Sequence, residues 1–343
     1  MSGAVVGWDV GGVNVKVARV QDGRVLSAWS EPFELQRAPG RLTGVLAGLA
    51  RAVGARPGDR HALTMTAELS QMFRTKREGV AFVLDAAVVA LAPAPLGVFA
   101  VDGRFLAPDE ARRQPLAVAA ANWAATARVV AREVHDALLV DVGTTTADLI
   151  PIVGARVAAL GRTDPERLLH GELVYTGAVR TPVEAIVTRV PLGDGEAGVS
   201  AEGFALAGDV HVWLGALAPD DYTAPTPDGR PATRAYAGER LARVVCADRE
   251  MLDDAGIDRI AHAVAEAQAA RVADAAARVR GHHPSIRSAV VTGLGDFVAA
   301  RAATCAGLEV VRLGEWLGAE AARVAPAAAV ALLAAEVRAV GRG

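Results

Sequence analysis

A mixed α/β protein built from two related domains is what the 343-residue sequence predicts, on three observations. A strand–Asp–x–Gly–turn–strand pattern occurs at Asp9-Val10-Gly11-Gly12 and returns at Asp141-Val142-Gly143-Thr144. Short β-branched runs alternate with helix-length amphipathic segments along the chain. The length accommodates about two domains of ordinary size, and the spacing of the repeat is too long for a solenoid.

The elements follow in order. Residues 4–9 form an apolar strand entering Gly11-Gly12, and Val13, Val15, Val17 and Val20 then nearly alternate with polar residues, as a strand with one buried face does. Asp22-Gly23 turns the chain into a third strand over 24–30. A helix is predicted over 41–53 with Gly54 closing it, then a strand at 61–66, a helix at 80–92, a strand at 98–101 and one long helix at 116–134. The second copy opens with strands at 137–141 and 149–153. Residues 191–235, rich in Gly, Pro and Asp, are expected to be a loop or lid outside the core. Helical patterning covers 238–280, with one long helix at 258–279. A strand at 288–292 enters Gly293-Leu294-Gly295, followed by a helix at 296–306, a strand at 308–313 and a terminal Ala/Leu helix. The expected domains are 1–135, with a small insertion at 63–110 and completion by a helix at 326–341, and 136–325.

Composition narrows the function classes. With 36 Lys plus Arg against 39 Asp plus Glu, the net charge of -3 gives no broad attraction for nucleic acid or anionic lipid. The opening apolar run is broken by Asp9 and lacks a basic leader, and no later run is long enough to cross a bilayer, so neither membrane nor export is expected. Two cysteines, Cys246 and Cys305, cannot build a disulfide framework, which suits the cytoplasm. Both lie in apolar helical contexts and are expected to be buried and inert. Histidines do not pair at a helical metal spacing.

The chemistry-bearing residues lie at the two repeats. Glycine lets backbone N–H groups approach phosphate oxygens, so Gly11 and Gly12 in the first copy and Gly143 in the second read as anion loops, with Asn14, Lys16, Thr144, Thr145 and Thr146 adding donors. The carboxylates of Asp9 and Asp141 would repel bare phosphate; a Mg²⁺ between carboxylate and phosphate resolves that conflict. Asp148, on the returning strand, can orient a water, support the metal or accept a proton. Glu68 follows a predicted strand, where site residues gather, although a carboxylate at a helix start explains it equally. Lys76 sits in a charge run of the kind that usually forms a solvated face, but it is one of two lysines in an arginine-biased chain. Asn122 can hydrogen-bond a polar ligand.

These motifs carry a resemblance. Asp9-Val10-Gly11-Gly12, Asp141-Val142-Gly143-Thr144-Thr145-Thr146-Ala147-Asp148 and Val290-Val291-Thr292-Gly293-Leu294-Gly295 resemble, in order, the two phosphate loops and the adenosine loop of the actin-like ATPase and sugar-kinase superfamily. The resemblance implies two ribonuclease-H-like domains facing a central cleft, with Gly293 and Gly295 at the nucleotide. A narrower resemblance rests on Gly7 through Lys16, Thr66-Ala67-Glu68-Leu69-Ser70, Lys76-Arg77-Glu78-Gly79-Val80, Asn122-Trp123 and His170-Gly171-Glu172-Leu173-Val174-Tyr175-Thr176-Gly177. These are similar to hydantoinase/oxoprolinase-related proteins of the tetrahydromethanopterin-linked C1-transfer pathway, which include a methanofuran-biosynthesis enzyme. That implies a Mg²⁺-dependent transferase joining an aminomethylfuran diphosphate to a glutamyl-tyramine or tyrosine-like phenol. In that reading Asp148, Lys16 and Glu68 are catalytic, and Lys76, Asn122 and His170 bind substrate. Two alternatives stay open: an ATP-dependent kinase or ATPase of the same superfamily, with ATP in the loops, and a regulatory nucleotide-binding protein without turnover. The implied partners are the small-molecule diphosphate and the phenolic amine, with homo-oligomerisation left open.

Overall fold

The computed structural model describes residues 3–340. Strands β1 (Val5–Val10), β2 (Asn14–Gln21) and β3 (Arg24–Pro32) form the opening meander. Then come α1 (Leu42–Ala52), β4 (Arg60–Met65), α2 (Lys76–Leu91), β5 (Leu96–Phe99), β6 (Phe105–Leu106), α3 (Pro108–Arg113), α4 (Pro115–Val118) and α5 (Asn122–Val130). The sheet order is β3-β2-β1-β4-β5-β6, with β1 antiparallel to β2 and parallel to β4. Because side chains alternate along β1, Val6, Trp8 and Val10 share one face and pack with Leu42, Leu46, Val80 and Leu84 of α1 and α2.

The repeat follows as β7 (Ala137–Val142), β8 (Ala147–Val153), β9 (Arg156–Val157), α6 (Asp164–His170), β10 (Leu173–Val174), β11 (Arg189–Leu192) and β12 (Gly195–Gly198). Helices α7 (Ala207–Trp213), α8 (Arg234–Arg243) and α9 (Asp254–His282) precede β13 (Ser288–Thr292), α10 (Asp296–Cys305) and β14 (Glu309–Arg312). The chain ends with α11 (Gly314–Leu317), α12 (Ala319–Arg323) and α13 (Ala325–Val340). The second sheet runs β10-β8-β7-β13-β14, with β9 beside β8 and β13 parallel to β7.

The chain divides into two compact units, one of residues 1–137, 150–169 and 312–343, the other of 138–149 and 170–311. The sequence boundaries had put 150–169 and 312–325 in the second domain. They cluster with the first because β9 packs on α5 and α12 on β3. The terminal helix packs on β1, β2 and β4; position 341 of the expected helix lies outside the described residues.

Four local expectations need correction. The helix expected over 116–134 is two, α4 and α5, separated by a break in which Ala120 takes φ 49°. The helical stretch 238–280 is likewise broken between α8 and α9. Residues 191–235 are not all peripheral: every residue of α7 is buried. Apolar neighbours and a buried ion pair hold that segment down. Asp209 accepts from Arg240 Nε at 2.8 Å and from the Leu206 N–H at 2.9 Å, and Arg240 Nη1 also donates to Asp228 at 3.0 Å. Cys246 and Cys305 are exposed, because each lies where a helix ends, the first just beyond α8 and the second as the last residue of α10. Among the described residues no helix is long and apolar enough to cross a membrane.

Candidate functional site

The two repeated turns close in the same way. In the first unit the Gly11 N–H donates to Asn14 O at 2.9 Å, and in the second the Gly143 N–H donates to Thr146 O at 2.9 Å. Each turn is entered from a strand buried on both faces whose penultimate residue is a carboxylate, Asp9 at 4% exposure and Asp141 at 9%. Sequence similarity between 9–14 and 141–146 thus reflects one supersecondary unit used twice.

The residues opposite differ in charge. Asp9 stands directly across β1/β2 from Lys16, whose Nζ lies 3.8 Å from Asp9 Oδ2, an ion pair without a direct hydrogen bond. At the same offset in the second unit stands Asp148, buried on β8 and paired with Leu173 of β10. The first turn carries a cation beside its carboxylate and the second carries two acids with three threonines. Hard oxygen donors of this kind suit Mg²⁺, which takes one or two carboxylates and fills its remaining positions with water and phosphate. Among the described residues no three His, Cys, Asp or Glu side chains gather to hold a metal by themselves, a demand Mg²⁺ does not make.

Gly293 and Gly295 owe their identity to β7. Gly293 has φ 94°, and a Cβ there would lie 2.3 Å from Val142 O and 2.4 Å from Asp141 Oδ1. The Gly295 N–H donates to Val142 O at 2.8 Å. Close approach to the carboxylate-bearing strand accounts for both glycines.

In the first unit a second group forms at the carboxyl ends of the parallel strands β1 and β4, where open α/β sheets place ligands. Thr66 follows β4, donates its N–H to Val10 O at 2.9 Å, and brings its Oγ1 within 3.5 Å of where a Gly11 Cβ would stand. The next residues, Ala67–Leu69, form a single 3₁₀ turn that buries Glu68 to 1% exposure. Neither Glu68 oxygen has a hydrogen-bond partner among the described residues. Lys76 Nζ is 3.6 Å from Glu68 Oε1 but 2.7 Å from Asp164 Oδ2, so the ammonium is hydrogen-bonded to the second acid and only ion-paired with the first. Burial pushes the Glu68 carboxyl up to about 7; the Lys76 charge opposes that rise and the Asp164 charge adds to it. Lys76 is the first residue of α2, where the helix dipole disfavours a cation. The two acids offset that penalty.

Sequence reasoning reached Glu68 and Lys76 and missed Asp164 and Arg167. Arg167 Nη1 lies 3.7 Å from Asp164 Oδ1, and its guanidinium stacks 4.5 Å from the Trp123 ring centroid. Asp164 is 88 residues from Lys76, and an acid in the first turn of a short helix carries no signal beyond capping. Asn122, half-buried, opens α5 beside Trp123, and His170, also half-buried, is the last residue of α6.

Each of the two sheets thus carries a carboxylate-ended glycine turn, and the first unit adds the buried carboxyl of Glu68. The chain belongs to the hydantoinase/oxoprolinase family, whose model matches residues 59–337. It is 38% identical over 251 residues, 73% of this chain and 74% of the other, to the (4-{4-[2-(gamma-L-glutamylamino)ethyl]phenoxymethyl}furan-2-yl)methanamine synthase of Methanocaldococcus jannaschii. It is 41% identical over 111 residues, 32% of this chain and half of the other, to the protein of the same name from Methanococcus vannielii. Among solved structures it is similar to the activator of the 2-hydroxyisocaproyl-CoA dehydratase from Clostridium difficile, with TM-score 0.49 and 11% identity over 99% of this chain and 98% of that one. A ROK family glucokinase from Streptomyces griseus gives TM-score 0.47 and 14% identity over 96% and 98% of the two chains. The family resemblance read from the sequence is borne out.

Proposed function

We propose that this enzyme acts in methanofuran-type C1-carrier biosynthesis, joining an aminomethylfuran diphosphate to the phenol of a glutamyl-tyramine or tyrosine-like acceptor with release of diphosphate. The observation that carries the reading is the 38% identity, across 73% of the chain, to a synthase whose name describes a phenoxymethyl-furan ether. The residues are chemically consistent with that bond. The C–O bond to diphosphate breaks with its electron pair leaving on the diphosphate, and the phenol oxygen forms the new C–O bond. The phenolic proton goes to a base.

Glu68 is suited to be that base. A carboxylate with a midpoint near 7 is available at neutral pH yet basic enough to assist a phenol. Its oxygens accept no hydrogen bond from other described groups and are only ion-paired with Lys76, and it lies in the 3₁₀ turn that Thr66 caps, beside the Gly11 turn. Asp148 is the second candidate for a proton or water. Lys16 and the backbone of Gly11, Gly12, Asn14, Gly143 and Thr144 through Thr146 would bind phosphate oxygens and stabilise the developing charge. Asp9 in the first unit and Asp141 in the second are each proposed as a Mg²⁺ ligand; the ion, when bound, would neutralise charge on the leaving diphosphate. Lys76, Asn122 and His170 are assigned to the acceptor.

The test is direct. Purified protein with Mg²⁺, the furan diphosphate and γ-glutamyltyramine should yield the ether by mass spectrometry with equimolar diphosphate. No ether, together with phosphate released from ATP in the presence of a small-molecule acceptor, would replace this reading with a kinase.

A further inference from the structure

The second unit contains a buried polar chain that the proposed chemistry does not use. Its centre is the segment 176–181, which lies along the threonine turn of the β7–β8 hairpin. The N–H groups of Ala178 and Arg180 donate to Gly143 O at 2.9 Å and Thr144 O at 3.0 Å. A Cβ on Gly177 would stand 2.5 Å from Thr145 N and 2.6 Å from Thr144 C, so the segment touches the turn at a position only glycine permits. The hydrogen bonds from Ala178 and Arg180 occupy carbonyl oxygens of the turn. An anion loop needs the opposite groups, its N–H donors, presented to the ligand.

Four buried side chains brace this segment, two of its own and two from outside it. Thr181 Oγ1 accepts from the Gly177 N–H at 2.9 Å and lies 3.3 Å from Thr176 Oγ1. Gln268, on α9 and 1% exposed, donates from Nε2 to Thr176 Oγ1 and to Gly177 O, both at 2.9 Å, while its Oε1 faces His211 Nε2 at 2.8 Å. With the amide fixed this way round, His211 is the donor to Gln268. Burial holds its pKa down at about 4, which keeps it a neutral donor at neutral pH. The other side of the segment is pinned to the start of α7, where the Ala207 N–H donates to Thr181 O at 2.7 Å and the Gly208 N–H to Val179 O at 3.0 Å. The hydroxyls of Thr176 and Thr181, both ends of the Gln268 amide and Nε2 of His211 each have a partner in this arrangement, and a buried network so connected favours one conformation. Thr176 and Gly177 also end the stretch starting at His170 that marked the family, and their placement gives that stretch a physical role.

We infer that Thr181, Thr176, Gln268 and His211 are positioning residues for the Thr144–Thr145–Thr146 turn, acting through the backbone of Gly177 to hold it in its anion-binding form. The inference rests on the diphosphate reading of that turn. Its test compares Thr181→Val, which keeps the shape and removes the hydroxyl, with Thr181→Ser, which restores the hydroxyl. Two readouts are taken on the full chain: binding of inorganic diphosphate with Mg²⁺ by calorimetry, and amide hydrogen exchange. Thr181→Val should bind diphosphate roughly tenfold more weakly, the loss typical of one buried hydrogen bond, with faster exchange confined to 143–147 and 176–181. Thr181→Ser should match the natural protein in both. Equal behaviour of the two variants, or faster exchange spread over the whole second unit, overturns the inference. If the natural protein binds no diphosphate, the anion reading of the turn fails, and the exchange pattern still decides whether these residues position it.

Discussion

Replacing Asp164 by asparagine removes the acid that holds Lys76 Nζ at 2.7 Å and leaves Glu68, 3.6 Å away, as its remaining carboxylate partner. The ammonium is then free to close on Glu68. With an effective dielectric constant of about 20, shortening that pair from 3.6 Å to hydrogen-bond distance favours the charged carboxylate by about 1.3 kcal/mol, or roughly one pKa unit. Loss of the Asp164 charge lowers it further, since that acid now pushes the Glu68 midpoint up. The Glu68 midpoint should therefore fall from about 7 by roughly one unit or more. The assay is a ¹³C NMR titration of labelled glutamate carboxyls, with Glu68→Gln identifying the resonance. In turnover, the acid limb of the kcat/KM profile should move down by the same amount, because Glu68 must be deprotonated to accept a proton. A midpoint that stays in place or rises would show that Asp164 does not restrain Lys76 and that the 2.7 Å contact has no bearing on the base.

Glu68→Gln itself should lower ether formation by about 10²–10⁴-fold, the usual contribution of a general base, while raising the thermal unfolding midpoint at neutral pH, since the burial penalty of the charged carboxylate is gone. Acid stability gives an independent check. His61 and His211 have folded pKa values lowered by burial to about 4 from 6.5, so the stability they contribute is complete above 6.5 and is lost as pH falls toward 4. Glu68, raised from 4.5 to about 7, acts oppositely and favours the fold as pH falls through that window. Urea unfolding should therefore show decreasing stability from pH 7 to pH 4.5, with a steeper decrease in Glu68→Gln; a shallower one would contradict the sign. Arg240→Met strands the fully buried Asp209 without its cation and should destabilise the protein by about 3–5 kcal/mol in the same assay. Asp209→Leu combined with Arg240→Met should recover part of that loss.

The strand-end turns were legible because they obey local rules. Alternating valines, Asp-Gly and Gly-Gly turns and the second Asp-x-Gly fixed β1, β2, β7 and β8 and put Asp9 and Asp141 at strand ends. The turn bonds of Gly11 and Gly143 each span three residues, a range over which residue identity determines backbone conformation. The helix break at Ala120 was not legible, since alanine carries no mark of a positive φ that tertiary contacts impose. Nor was the exposure of the cysteines, because a helix end is wet or dry according to what packs on it.

Sequence alone determined the repeat, the strand-end acids, the glycine turns and the family. Only the tertiary structure decided which polar groups meet: Asp164 with Lys76, Gln268 with His211 and Thr176, Arg240 with Asp209. The reason is range. A turn is encoded by neighbours, whereas a buried charge or amide must be matched by a partner from any part of the chain. What selects that partner is the high free energy of leaving a polar group dry and unpaired, and that energy exists only after the sheets and helices have packed.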